Sequence, residues 1–100
     1  MGYDIFAASI AHQLELEAEL KSLSLYCALK CCDIDISVFE YCAGTCIHDV
    51  AHVDISSEMV KEYAIHCKRI IETGAKIEDI EKIYGYLTTC VKYDGYLIII

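Results

Sequence analysis

Thr88-Thr89-Cys90-Val91-Lys92-Tyr93, Asp94-Gly95 and Tyr96-Leu97-Ile98-Ile99-Ile100 form the stretch on which the fold class turns. Two β-prone runs flank an Asp-Gly pair, the pattern of a hairpin with a two-residue turn. Reading upstream gives the competing answer. Ile77, Ile80, Tyr84, Leu87 and Val91 alternate three and four apart, which is the spacing of one helical face. A lone two-stranded hairpin is marginal in water, whereas the helical pattern is sustained over a longer stretch. The reading therefore favours an all-α fold, a compact four-helix single domain over residues 1–100, with a short C-terminal β-hairpin as the alternative. In either case the uncharged tail Leu97–Ile100 has to be covered, by the core or by a second subunit, because a bare β-prone segment invites aggregation.

Working outward, residues from about Asp4 to Lys30 favour helix, and His12, Leu16, Leu20, Leu23 and Cys27 form one stripe along it. Cap-forming side chains in Cys32-Asp33-Ile34-Asp35-Ile36-Ser37 then interrupt the pattern. Phe39, Cys42, Ala43, Cys46 and Val50 restart it on a second helix, with Tyr41, Thr45, His48 and His52 on the opposite face. Ser56-Ser57-Glu58 opens a third helix, whose apolar stripe is Val60, Ala64, Cys67 and Ile71 and whose end is marked by Gly74. The fourth helix carries Gly85 at a cost of roughly 1 kcal/mol in propensity and stops before Gly95.

Sixteen acidic residues against eight basic ones give a formal charge of −8, which repels a phosphate backbone. Direct nucleic-acid binding is thereby disfavoured, and a basic protein surface becomes the natural partner of an acidic chain. No apolar run approaches the roughly 20 residues of a membrane span. Neither a secretory leader nor a myristoylation signal is read at the start, where Phe6 stands in place of the required Ser or Thr. Seven cysteines cannot all pair, which points to a reducing, cytoplasmic setting.

The chemistry gathers at His48-Asp49-Val50-Ala51-His52. Two His four apart on a helix can direct two imidazoles at one metal ion. With Cys42-Ala43-Gly44-Thr45-Cys46-Ile47 before it and Val53-Asp54-Ile55 after it, the cluster resembles the central motif of the HD-domain metal phosphohydrolases. That resemblance implies a metal shell of His12, His48, Asp49 and Asp94, with His66 where relatives that cleave cyclic dinucleotides place a further His. His52 joins these as a candidate ligand. It also implies a divalent manganese, iron or zinc ion that activates water against a phosphoester substrate, with Lys68 or Arg69 stabilising the phosphoryl oxygens. The chain departs from the family in its short length, in Ala51 where Gly is usual and in its few supporting basic residues. For each residue a plainer role competes. His48 and His52 suit a solvated face, His12 a hydrogen-bonded core position, and Asp94 a turn before Gly95.

A second constellation is the repeated Tyr-Cys-Ala-x-x-Cys of Tyr26–Cys31 and Tyr41–Cys46. Its four thiols could hold zinc or cuprous ion, or pair as disulfides, although buried cysteine usually packs as a small hydrophobe. Glu58, Glu62 and His66 also stand four apart, without the repeated Glu-x-x-His of di-iron bundles. Three functions follow as expectations: an HD-like phosphohydrolase or inactive relative, a non-catalytic acidic interaction or inhibitor protein, and a cysteine-based metal binder.

Overall fold

A computed structural model describes residues 5–23, 36–46 and 54–99. The described residues are mostly helical but include a small antiparallel sheet. In chain order the elements are β1 (Ile5–Ala8), α1 (Gln13–Ser22), α2 (Ile36–Ala43), β2 (Asp54–Ile55), α3 (Ser57–Glu72), α4 (Ile80–Lys92) and β3 (Tyr96–Ile99). The purely α-helical expectation is therefore corrected, and so is its hairpin alternative. Residues 80–92 are helical as the three-four spacing predicts, and the tail beyond them is a strand. Its partners lie far away in the chain.

β3 is the central strand, with sheet order β1-β3-β2. β1 pairs with it antiparallel, Ile5 opposite Ile99 and Ala7 opposite Leu97, and β2 places Ile55 opposite Leu97 on the other side. Alternation along the strands puts Ile5, Ile55, Leu97 and Ile99 on one buried face. Leu97 and Ile99 are 0% exposed, so the chain's own core covers these two residues of the apolar tail.

The helices join this sheet through one core. Leu16 and Leu20 of α1, Phe39 and Cys42 of α2, Val60 and Cys67 of α3, and Ile83, Leu87 and Cys90 of α4 are all buried in it. α3 starts at Ser56, whose hydroxyl accepts the Met59 N–H, and stops at Gly74 with φ +78. Both ends agree with the reading of Ser56-Ser57-Glu58 and Gly74. No helix among the described residues is long and apolar enough to cross a membrane.

Four helix boundaries differ from expectation: α1 closes at Ser22 with Leu23 as its C-cap, α4 opens at Ile80 and leaves Ile77 before it, and the start of α1 and the end of α2 are displaced as well. The first helix begins at Gln13 because Ile5–Ala8 are taken up by the sheet. The intervening turn is held by Ser9: its hydroxyl donates to Tyr93 O at 2.7 Å and accepts from His12 N–H, while its N–H donates to Gln13 Oε1. The second helix ends at Ala43 instead of running on to Val50. Gly44 takes φ +75, and the N–H groups of Gly44 and Thr45 both close on Glu40 O, which ends the helix there. Thr45 and Cys46 therefore do not continue the face of α2.

Candidate functional site

The end of α2 and the middle of α3 border a polar groove. Gly44 brings the backbone close to His66, whose ring packs so tightly that a Cβ at position 44 would stand 2.9 Å from it. His66 Nδ1–H donates to Cys42 O at 3.0 Å. A carbonyl only accepts, so in the neutral ring Nε2 carries the lone pair. On one side of His66, Glu40, Tyr41 and Cys46 join Gly44 and Thr45 around a cavity of ≈ 520 Å³. On the other, Ala43, Met59, Glu62, Tyr63, Ile65 and Arg69 join the same residues around one of ≈ 540 Å³. His66, Gly44 and Thr45 form the wall common to both.

Of the residues read as metal ligands or catalytic groups, His66 and Arg69 meet at this groove. Lys68 is an exposed neighbour on α3 outside the groove's lining. His12 is elsewhere. It is the N-cap of α1, with its side chain 52% exposed, Nδ1 4.0 Å from Glu15 Oε2 and its ring 6.1 Å from that of Tyr93. The expected core position on a leucine stripe is thus corrected, because α1 begins only after His12 and turns Leu16 and Leu20 inward instead. Asp94 occupies the left-handed region at φ +52, in the turn that ends α4, and lines a third cavity with Ile10, Asp54, Ser56, Ser57 and Tyr96. His48, Asp49 and His52 lie outside the described residues, as do Cys27 and Cys31 of the first Tyr-Cys-Ala-x-x-Cys. Among the described residues, no group of three or more His, Cys, Asp or Glu side chains is placed to hold a metal ion.

The described cysteines divide sharply. None of Cys42, Cys46, Cys67 and Cys90 is in a disulfide, and only Cys46 is exposed. Cys42 and Cys67 meet across the α2–α3 contact, where burial pushes the Cys42 thiol up. Burial, and then the adjoining Cys42 thiol, push Cys67 up to about 12. Burial alone pushes Cys90 up to about 12. These three pack in the core, and their raised pKa values suppress the thiolate.

The HD-like reading puts His66 and Arg69 at one centre and the four-residue spacing puts Glu62 in line with His66, but neither signals a groove against the end of α2. Both missed Tyr63, which is 5% exposed and whose hydroxyl lacks a hydrogen-bond partner among the described residues. Gly44 was the available signal, because a glycine right after an apolar helical stripe marks a helix end and admits a close neighbour. Comparison with protein-family models, curated proteins and solved structures finds no match to this chain.

Proposed function

We propose that the chain is a non-catalytic acidic interaction module that docks a basic, apolar segment of another protein on the outer side of α1. One observation carries this reading: Ile10 is 94% and Leu14 79% exposed, four residues apart and beside the carboxylates of Glu15 and Glu17. Leu16 and Leu20 anchor the opposite side of α1, so the helix holds Leu14 outward from a rigid base, and Ile10 stands beside it in the Ser9-held turn that precedes the helix. An acidic rim around them favours a partner with Lys or Arg interleaved among apolar residues and speeds its encounter at low salt. The test is fluorescence anisotropy with a labelled Lys/Leu amphipathic peptide. Binding should weaken as salt is raised and fall about tenfold in Leu14→Asp, equivalent to roughly 1.4 kcal/mol. Equal affinity of the Leu14→Asp protein for the peptide would exclude this surface.

The HD-like reading, a metal-dependent phosphohydrolase or its inactive descendant, is supported by a different observation. His66 and Arg69 border a groove that Cys46 also lines, and His48 and Asp49 follow Cys46 in the chain. The described residues do not themselves make a metal site, so a bound ion in this reading has to draw on His48, Asp49 and His52. Elemental analysis of protein purified under reducing conditions decides it. Manganese, iron or zinc lost in His48→Ala and kept in Cys42→Ala supports an HD-like centre, and the reverse supports a thiol site. Absence of metal from the wild type rejects both. A reducing, cytoplasmic setting belongs to the same proposals and is tested by counting thiols in the denatured protein.

A further inference from the structure

The groove between α2 and α3 is polar at both ends in opposite senses. Glu62, His66 and Arg69 follow one another at spacings of four and three on α3, which places them on one face. The outer two are about 10 Å apart along the helix axis at a rise of about 1.5 Å per residue. Among the described residues neither the Glu62 carboxylate nor the Arg69 guanidinium has a hydrogen-bond or ion-pair partner. Between them His66, with Nδ1–H committed to Cys42 O, offers Nε2 as an acceptor. The adjacent Tyr63 also lines this cavity, with its hydroxyl buried and without a hydrogen-bond partner among the described residues.

The charges choose the ligand class. A simple anion would pair with Arg69 but would meet Glu62 and the field of a chain with a net charge of −8. A simple cation would meet Arg69. A molecule carrying both an ammonium and a carboxylate satisfies both ends at no net cost in charge, and the negative end of the α2 dipole lies on the groove through Gly44 and Thr45. Length discriminates further. The ammonium and carboxylate of a single amino acid are adjacent, whereas an extended chain gains about 3.3–3.6 Å per residue, so two or three residues reach from Glu62 to Arg69. Met59 and Ile65, 40% and 51% exposed on the groove wall, supply apolar contact between the charged ends. A cavity of ≈ 540 Å³ is of the size that small-molecule sites have.

We propose that the α2–α3 groove binds a short peptide of two or three residues with free termini, its ammonium received by Glu62 and His66 Nε2 and its carboxylate by Arg69. This is a small-ligand site separate from the docking surface on α1, and it stands whichever reading of that surface holds. The experiment is a two-dimensional amide NMR titration of the full chain with Ala-Leu-Ala, with the same peptide acetylated and amidated, and with free leucine. Saturable shifts at Thr45, Glu62, His66 and Arg69 are expected with the free-ended tripeptide, and affinity about tenfold weaker with the capped one and with leucine. Glu62→Gln and Arg69→Ala change exposed side chains, keep the dispersed spectrum and should each weaken binding about tenfold. Capped and free peptides binding alike, or wild-type affinity in both variants, would overturn the proposal. So would the lack of saturable shifts up to about 10 mM peptide, a range that reaches affinities weaker than any specific role requires.

Discussion

Asp94 and Gly95 divide between them two tasks that a glycine often performs alone. Asp94 takes the left-handed conformation at φ +52, and its N–H bonds Val91 O, while Gly95 N–H bonds Cys90 O at 2.8 Å. Together these close the end of α4 in a Schellman motif. Gly95 itself is required for space: a Cβ there would stand 2.7 Å from Cys90 Sγ and 2.8 Å from Ala8 O, pinned between α4 and β1. Gly95→Ala should therefore destabilise the protein by about 1–3 kcal/mol, the range of overpacking in a closed site, as measured by urea denaturation. An unchanged midpoint would mean that β1 yields at no cost. The sequence marks a turn at Asp94-Gly95 correctly, yet it cannot reveal this crowding, because Ala8 comes from the far end of the chain. The same separation hid the true place of His12. Periodicity joined it to Leu16 and Leu20, and only the bonds from Ser9 show that the helix has not yet begun there.

Among elements, a helix is legible at both ends where caps and stripe agree, as from Ser57 to Glu72. α4 is legible in its stripe and its end but not in its start, since the spacing begins at Ile77 and the helix at Ile80. β1 was not legible, since two of its four residues are alanine, a strong helix former, and its strand state comes from pairing with β3. The groove was half legible: His66 and Arg69 were singled out, but the end of α2 at Gly44 that creates the groove was read as continuing helix. α1 also reaches α4 by a surface contact that no periodicity announces. Lys92 Nζ lies 2.6 Å from Glu19 Oε1, and Tyr93 Oη donates to the same oxygen at 2.9 Å. The Lys92 bond first, and the Tyr93 bond second, hold the Glu19 carboxyl below the usual carboxylate value. A lowered folded-state pKa contributes stability that is fully present above the ordinary carboxylate range and is lost as pH falls through the lowered value. The Lys92 ammonium, raised chiefly by the bond to Glu19, gives the converse at alkaline pH, where its contribution is lost as pH rises through the raised value. Wild type should be slightly more stable than Glu19→Gln near neutrality, with the difference reduced by salt and abolished in acid below the Glu19 titration. Thermal denaturation of both proteins across pH checks this, and a difference that persists in strong acid would contradict it.

At the scale of the whole molecule, one core spans both the sheet and the helices, and the buried cysteines report on it. Cys42, Cys67 and Cys90 sit on α2, α3 and α4 respectively and are each 0% exposed. No local opening of a single loop reaches all three, because Cys42 and Cys67 are in contact, Cys67 Sγ donates to Ile80 O at the start of α4, and Cys90 Sγ donates to Tyr96 O of β3. Their raised pKa values suppress the reactive thiolate as well, so chemistry and access act in the same direction. Cys46 lacks the shelter of the core, being exposed at the groove. Alkylation of the native protein by iodoacetamide at mildly alkaline pH, followed by peptide mapping, should therefore label Cys46 first among these four. Cys42, Cys67 and Cys90 should follow slowly and at a common rate, set by global unfolding, and all three should accelerate together when urea is added. A separate, faster rate for Cys90 would show that β3 leaves the core independently of the α2–α3 contact. That would divide into two cooperative units the sheet and helices that share one buried cluster here.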